Sequence, residues 1–389
     1  MEDKLNQLRG DISNRLCHDI APILDEEFDA ALWNDDALFN WFMLAKRDTF
    51  IDYIAEAVSL DRTIVEKLIV RDTLAWKNAV VNGEARRWDS LREKISARFA
   101  VYEKNLNVMR QLSSLCEDKT GYLDVGCGLG FTMMAARELG FQKAHGVEVD
   151  QAFANTGLSL IDAGTEGNVG YVFGDFMTEN LNPPYSLITF FDVLEHVVDI
   201  DQSIDRACNM TPEKGTIFFY QGNSRAIPIV LSEPHYRIPF LTIMPTDIVI
   251  KILLKKQRIS SPAEYVVNKW PETSVFSKQG WHSAMVSPER NFRSGAEFMS
   301  RERAVSAVAN FQAQFESEIL SYLEADDRPH AQSALDAYVD RFNQKLADDD
   351  GDFHTEYLMN SWSIVMARDL EFFDHEFRKN SDASLIALS

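Results

Sequence analysis

From Gly121 onward, short β-rich runs alternate with stretches of helical periodicity, and this alternation constrains the fold more than any other feature. The runs Tyr122–Val125, Ala144–Glu148, Val169–Phe173, Leu187–Phe191 and Thr216–Tyr220 are apolar and rich in aromatic or branched residues. Thr132–Leu139, Ala152–Ile161 and Ile200–Asn209 carry apolar residues at three- and four-residue spacing. Such alternation predicts a parallel sheet wrapped by helices, with ligands at the carboxyl ends of the strands. A late run, Ser361–Arg368, predicts one more strand.

The flanks read differently. Residues 1–115 are predicted to be all-α, with periodic stretches at Asp52–Leu60, Thr63–Val80 and Trp88–Leu115 and capping-box spacing at Thr63 and Glu66. After Tyr220 comes a loop rich in Pro, His and Tyr, then a helix from Thr246 to Lys256. Further helices are expected at Glu297–Glu324 and His330–Leu346, the first striped by Phe298, Val305, Val308, Phe311, Phe315 and Ile319, a pattern of core packing. At 389 residues the chain exceeds a typical single core. The expected division is a helical region over 1–115, a lid or dimerisation element, and an α/β domain over 116–389 with a helical insertion at about 285–350.

The stretch Leu123-Asp124-Val125-Gly126-Cys127-Gly128-Leu129-Gly130 follows a predicted strand and opens a predicted helix. Glycines suit a chain that turns sharply and lets a ligand approach the backbone. Glu148, 22 residues after Gly126, ends the second strand, where a carboxylate accepts ribose hydroxyls. The spacing is GxGxG, and Phe131 stands where a dinucleotide fingerprint has Gly or Ala. Asp124 beside the turn suits a cationic ligand bearing an amino group better than a pyrophosphate.

Composition narrows the partners. A formal charge of −21 and a pI near 4.8 disfavour nucleic acid, whose binding rests on Lys and Arg. Cys17, Cys116, Cys127 and Cys208 are scattered, which argues against a zinc ribbon, a redox dithiol or a disulfide scaffold and fits a reducing compartment. The charged amino terminus and the absence of a long apolar run predict a cytoplasmic protein with no transmembrane segment.

Four ordered motifs, LDVGCGLG, GVEVD at Gly146–Asp150, GDF at Gly174–Phe176 and FFDVLEHV at Phe190–Val197, resemble class I S-adenosylmethionine (SAM)-dependent methyltransferases, particularly the ubiquinone-biosynthesis O-methyltransferase-like group. The resemblance covers roughly residues 121–220. It implies a Rossmann-like, seven-stranded, mostly parallel sheet with helices on both faces, and SAM as cofactor. It also implies that Asp124, Gly126, Gly128 and Gly130 hold the methionine part, Glu148 the ribose, and Asp175 and Phe176 the adenine, with Asp192, Val193 and Leu194 lining the cofactor. Ser186 departs from the pattern, where the family often has Asp.

Methyl transfer needs an acceptor placed in line and often a base. His196 follows Glu195 directly after the fourth strand; a Glu-His pair there also serves to orient the next helix. His235 and Tyr236 lie in Ser-Glu-Pro-His-Tyr-Arg-Ile-Pro, in the loop after the fifth strand. These three are the catalytic candidates. Lys251, Lys255, Lys256 and Arg258 form a basic island that suits an anionic membrane surface, a phosphorylated substrate or simply a helix carboxyl end. The acidic run Asp348-Asp349-Asp350-Gly351 fails the register of a calcium loop, and without an HExxH motif or a clustered Cys/His set no metal is predicted.

The expected activity is methyl transfer to a hydroxyl or amine of a small molecule, sugar or lipid-linked intermediate, by a chain that forms a homodimer in one reading. Its rivals are an NAD-dependent oxidoreductase, a non-catalytic SAM-binding scaffold and a protein methyltransferase drawn to basic targets.

Overall fold

The computed structural model describes residues 108–114, 116, 118–128, 130–151, 169–285, 299–348, 353–369 and 386–388, together with Arg62. The helices expected before residue 108 (Arg62 apart), the one at Ala152–Ile161, and Asp349–Gly351 lie outside the described residues. Elements follow in the order β1 (Tyr122–Val125), α1 (Phe131–Glu138), β2 (Ala144–Glu148), β3 (Val169–Phe173), β4 (Leu187–Phe191), α2 (Ile200–Met210), β5 (Thr216–Gly222), α3 (Ile227–Leu231), α4 (Thr246–Lys255), β6 (His282–Met285), α5 (Arg301–Val308), α6 (Phe311–Glu318), α7 (Arg328–Asp348), β7 (Ser361–Ala367) and β8 (Ile386–Leu388). The architecture is α/β and Rossmann-like, as the alternation predicts. Eight strands occur among the described residues, where seven are expected; nothing in the short sequence His-Ser-Ala-Met announces β6, and β8 has three residues.

The chain divides into two compact units. The first comprises Met1–Ser113 and Cys127–Asp175 and holds α1 with the parallel pair β2 and β3, in register from Ala144 opposite Val169 to Glu148 opposite Phe173. Helix α1 lies close on β2. A Cβ at Gly146 would stand 2.3 Å from Met133 Sδ and 2.5 Å from Cys127 Sγ, so only glycine admits this approach.

The second unit, Ser114–Gly126 with Phe176–Ser389, holds strands in the order β1-β4-β5-β7-β6-β8. β1, β4 and β5 run parallel, and β7, β6 and β8 are antiparallel to their neighbours. β7 is buried along its whole length, consistent with its apolar run SWSIVMA lying between β5 and β6. Ser186, which departs from the resembled pattern, is hydrogen-bonded at the start of β4. Its hydroxyl donates to Gly121 O at 2.9 Å and accepts from Gly121 N at 3.2 Å, tying β1 to β4. Asp199 caps α2, accepting from Gln202 N at 3.0 Å, and the helix buries Ile200, Ile204, Ala207 and Cys208 at helical spacing.

A separate apolar core joins α3 and α4 to α5, α6 and α7, the helical insertion. The helix expected over Glu297–Glu324 is two short ones, broken at Ala309 and Asn310. Its stripe holds through Val308, Phe311, Phe315 and Ile319, all buried, while Val305, before the break, is 40% exposed and Phe298 lies outside the described residues. The basic island is not a field of isolated cations. Lys251 meets Asp327 at 2.6 Å, Lys255 meets Glu324 at 2.6 Å and Lys256 meets Glu318 at 3.0 Å, while Ile248, Val249, Ile252 and Leu253 of the same helix are buried. Among the described residues no helix is long and apolar enough to cross a membrane.

Candidate functional site

In the first unit the glycine turn is closed by Glu148. Its Oε2 accepts from Gly128 N at 2.8 Å and its Oε1 from Asp150 N at 2.8 Å, and the residue is 8% exposed. Each oxygen has a second lone pair, so the group can still accept from a hydroxyl. Gly128 has φ +51, and a Cβ there would meet nothing within 4 Å, which leaves open space above the turn. Tyr171 donates its hydroxyl to Gly128 O on the other side. Gly130, φ +78, begins α1 and donates to Cys127 O at 2.8 Å. Asp175 is exposed at the end of this unit.

The second unit places the remaining cofactor candidates at the carboxyl ends of β1 and β4. These strands are neighbours although β2 and β3 intervene in the chain, so their ends form a switch point where open α/β sheets bind ligands. Asp124 is buried and accepts from Thr189 Oγ1 at 2.7 Å. Because that proton goes to the carboxylate, Tyr122 OH donates to Thr189 Oγ1, also at 2.7 Å, completing a relay that fixes Asp124. Gly126, φ +69, faces Val193: a Cβ would lie 2.5 Å from Val193 Cγ2. Asp192 is exposed in the left-handed region at φ 55 and donates its N–H to Tyr220 O at 2.8 Å; Leu194 is fully buried. Phe176 is buried, edge-on to Phe190 at 5.8 Å and under the Arg206 guanidinium at 5.3 Å.

The turn that carries Asp192–Leu194 continues into Glu195 and His196, and a loop 39 residues on brings His235 against them. The two imidazole rings meet edge to face at 5.1 Å. His196 Nδ1 lies 2.7 Å from Val266 O; a carbonyl only accepts, so Nδ1 carries the hydrogen and Nε2 is the basic nitrogen of the neutral ring, 3.9 Å from Glu195 Oε1. His235 Nδ1 lies 2.5 Å from Glu233 Oε1, while Glu233 Oε2 accepts from Tyr236 N at 2.6 Å. Burial depresses the basicity of His235, but the hydrogen bond and charge of buried Glu233 outweigh it and hold the imidazole above its ordinary value. Burial pushes the Glu195 carboxyl up, against the opposing pull of His196 and of Gln221, whose Nε2 donates to Glu195 Oε2 at 2.9 Å.

Of the catalytic candidates, His196 and His235 are thus brought together, and the Tyr236 ring lies 6.3 Å from that of His235 with its hydroxyl turned to other partners. The Tyr236 hydroxyl accepts from Val266 N at 3.2 Å and reaches Glu264 O at 3.4 Å, with its ring stacked on Tyr265. Glu233 is the member that sequence reasoning misses, although a carboxylate two residues before His235 was a legible signal. Beside the pair lies a cavity of about 450 Å³, lined among others by Arg225, Thr242, Tyr265, Asn268, Trp270 and Arg341. Asn268 Nδ2 donates to His196 O at 2.6 Å, and the Trp270 ring is 5.9 Å from that of His235, so two residues of the cavity wall also adjoin the histidine pair. Arg225 and Arg341 are paired with Glu356 at 2.9 and 2.7 Å.

Residues 95–244 match the family model described as a methyltransferase domain. No curated protein sequence matches the chain. Solved structures similar to it include the CcbJ methyltransferase from Streptomyces caelestis, at 23% identity over 31% of this chain and 50% of that one, with a TM-score of 0.28. A S-adenosylmethionine-dependent methyltransferase from Clostridium acetobutylicum aligns at 14% identity over 41% and 58%, TM-score 0.29. The glycopeptide N-methyltransferase MtfA, complexed with SAM, aligns at 9% over 31% and 57%, TM-score 0.28. The chain therefore spans between half and three fifths of these structures, a likeness that bears on neither substrate nor site.

Proposed function

We propose that the chain is a SAM-dependent methyltransferase that methylates a hydroxyl or amine of a small polar molecule, a sugar or a lipid-linked intermediate. S-adenosyl-L-methionine is its cofactor. One observation carries the reading: the turn after β4 runs without interruption from Asp192 and Val193, beside Gly126, into Glu195 and His196, where His235 meets them. The residues beside Gly126 and one member of the proton-accepting pair, His196, are consecutive in one turn, and His235 joins them from a later loop.

When bound, the cofactor supplies a methyl group made electrophilic by its sulfonium. The chain's part is to hold it and to ready the acceptor. Glu148 and the open face above Gly128 suit the ribose side, and the fixed carboxylate of Asp124 suits an ammonium. His196 and His235 both present Nε2 as the basic nitrogen, placed to take the acceptor's proton. The adjoining cavity is of ordinary ligand size and has polar and aromatic walls, which favours a hydroxylated acceptor over an aliphatic one. Calorimetric titration with S-adenosylhomocysteine tests the reading. Micromolar binding is expected, weakened at least tenfold (about 1.4 kcal/mol) by Glu148→Ala, with no response to NAD. A folded wild-type protein that ignores S-adenosylhomocysteine but takes up NAD would overturn it.

A further inference from the structure

We propose that Glu195, His196 and His235 form a binding site for a divalent transition-metal ion, which holds and ionises the acceptor hydroxyl. One ligand atom from each residue lies within 4.8 Å of the other two. Two imidazoles and one carboxylate are the donor set of catalytic zinc sites and of the facial triads that hold other first-row divalent ions, in both cases with positions left open for substrate. The cluster escapes sequence inspection because His235 is far along the chain and no compact HExxH spacing announces it.

A chance meeting of three polar residues would not explain their outer partners. Each ligand is oriented by a group behind it: His196 Nδ1 by Val266 O, His235 Nδ1 by Glu233, and Glu195 Oε2 by Gln221. Ligating histidines characteristically give their other ring N–H to a carbonyl or carboxylate, which fixes the tautomer and turns the remaining nitrogen to the ion. Both histidines here have that arrangement. Glu195 and Glu233, each 3% exposed at the side chain, concentrate buried negative charge that neutral donors offset only in part and that a dication would offset further. Asp192 adds a further negative charge that acts on both Glu195 and His235. Gln221 Oε1 is buried with no hydrogen-bond partner among the described residues, an unspent acceptor on the group that orients Glu195. Ligands at 2.0–2.2 Å from one ion stand roughly 3.0–3.5 Å apart, so binding draws the cluster in by about an ångström. The His196 side chain, 36% exposed, has room for that rotation.

The role of the ion in methyl transfer rests on the function proposed above; its binding does not. With both Nε2 atoms engaged on the ion, the histidines no longer act as bases, and an acceptor oxygen on the ion loses its proton to water near neutral pH instead. That oxygen then forms a bond to the methyl carbon as the carbon–sulfur bond breaks, with the bonding pair going to sulfur, leaving a methyl ether, a neutral thioether and one proton released.

The test uses the full-length protein, freed of metal with a chelator and titrated with Co²⁺ by visible absorption and calorimetry, with S-adenosylhomocysteine titrated into every variant. One equivalent of Co²⁺ is expected to bind. Glu195→Gln and His235→Gln should each weaken it at least tenfold, Glu233→Gln roughly tenfold, and His282→Gln not at all, with S-adenosylhomocysteine binding retained throughout. Should a ligand variant also lose S-adenosylhomocysteine, Glu233→Gln, which leaves the ligand set intact, decides. Wild-type protein that binds S-adenosylhomocysteine but no Co²⁺, or Co²⁺ binding indifferent to both ligand substitutions, overturns the site and leaves the histidines as plain bases. Co²⁺ binding without S-adenosylhomocysteine binding would sustain the metal site while sinking the methyltransferase reading.

Discussion

Replacing Gly126 with alanine adds one carbon and should cost the protein about as much as truncating a large core side chain. Two separate penalties arise at this residue. Its φ of +69 puts a Cβ-bearing residue in the left-handed region, which costs about 1–2 kcal/mol. The new Cβ would also stand 2.5 Å from Val193 Cγ2 and 3.3 Å from Cγ1, an overpacking worth about 1–3 kcal/mol. The sum is about 2–5 kcal/mol. Val193→Ala removes both γ carbons and leaves the nearest atom, Val193 Cβ, at an ordinary 3.5 Å. In that background only the backbone penalty survives, so Gly126→Ala should cost about 1–2 kcal/mol and the double-mutant coupling should be about 1–3 kcal/mol, within the range found for residues in contact. Urea denaturation of the four proteins measures these values. Equal cost in both backgrounds would show that Val193 is not what forbids the side chain, and a cost below about 1 kcal/mol would refute the geometry of the turn itself.

Asn223 should be among the least replaceable residues outside the candidate site. Fully buried after β5, it donates to Thr355 O, Glu356 O and Met359 O at 3.1, 2.9 and 2.7 Å, and accepts from Arg225 N at 3.1 Å. Asn223→Ala should lower stability by about 3 kcal/mol by stranding those carbonyls, and Asn223→Asp, of equal size but without the donors, should fare no better in the same denaturation assay. Cys116 and Cys208 should resist thiol reagents in the native state. Burial pushes their thiols up to about 12 and about 11, so at pH 8 roughly one in ten thousand and one in a thousand are ionised. Reaction with Ellman's reagent should release them only on denaturation, and rapid native labelling at either position, located by peptide mapping, would contradict their burial.

The glycine turn and the strands around it were legible because their causes are local. Positive φ at Gly126, Gly128 and Gly130 demands glycine, and β4 reads as LITFF because a parallel strand buried on both faces has no polar side to show. The break in the helix expected over Glu297–Glu324 was not legible, since neither Ala309 nor Asn310 is a strong breaker and the turn is set by packing onto α3 and α4. β6 has no sequence signal because its four residues take their conformation from β7 and β8 on either side. In the site, His196 was visible from its place after β4, but its pairing with His235 depends on how the loop after α3 folds back. That fold rests on Glu233, whose main chain closes the turn with Arg237 N at 2.8 Å and whose carboxylate receives Tyr236 N and the His235 ring. A side chain that organises its own loop leaves no periodic trace.

Glu148 spends one lone pair on Gly128 and another on Asp150 before any ligand arrives. The glycine turn, which contains the chain's most permissive residues, is therefore already ordered in the free protein, and under the cofactor role proposed for it the entropy of ordering it is charged to folding instead of to association. On that proposal a cofactor meets a preformed cradle and its departure need not be accompanied by collapse of the loop, so the amide hydrogens of Gly128 and Asp150 should exchange slowly with solvent in the free protein as well as in the complex.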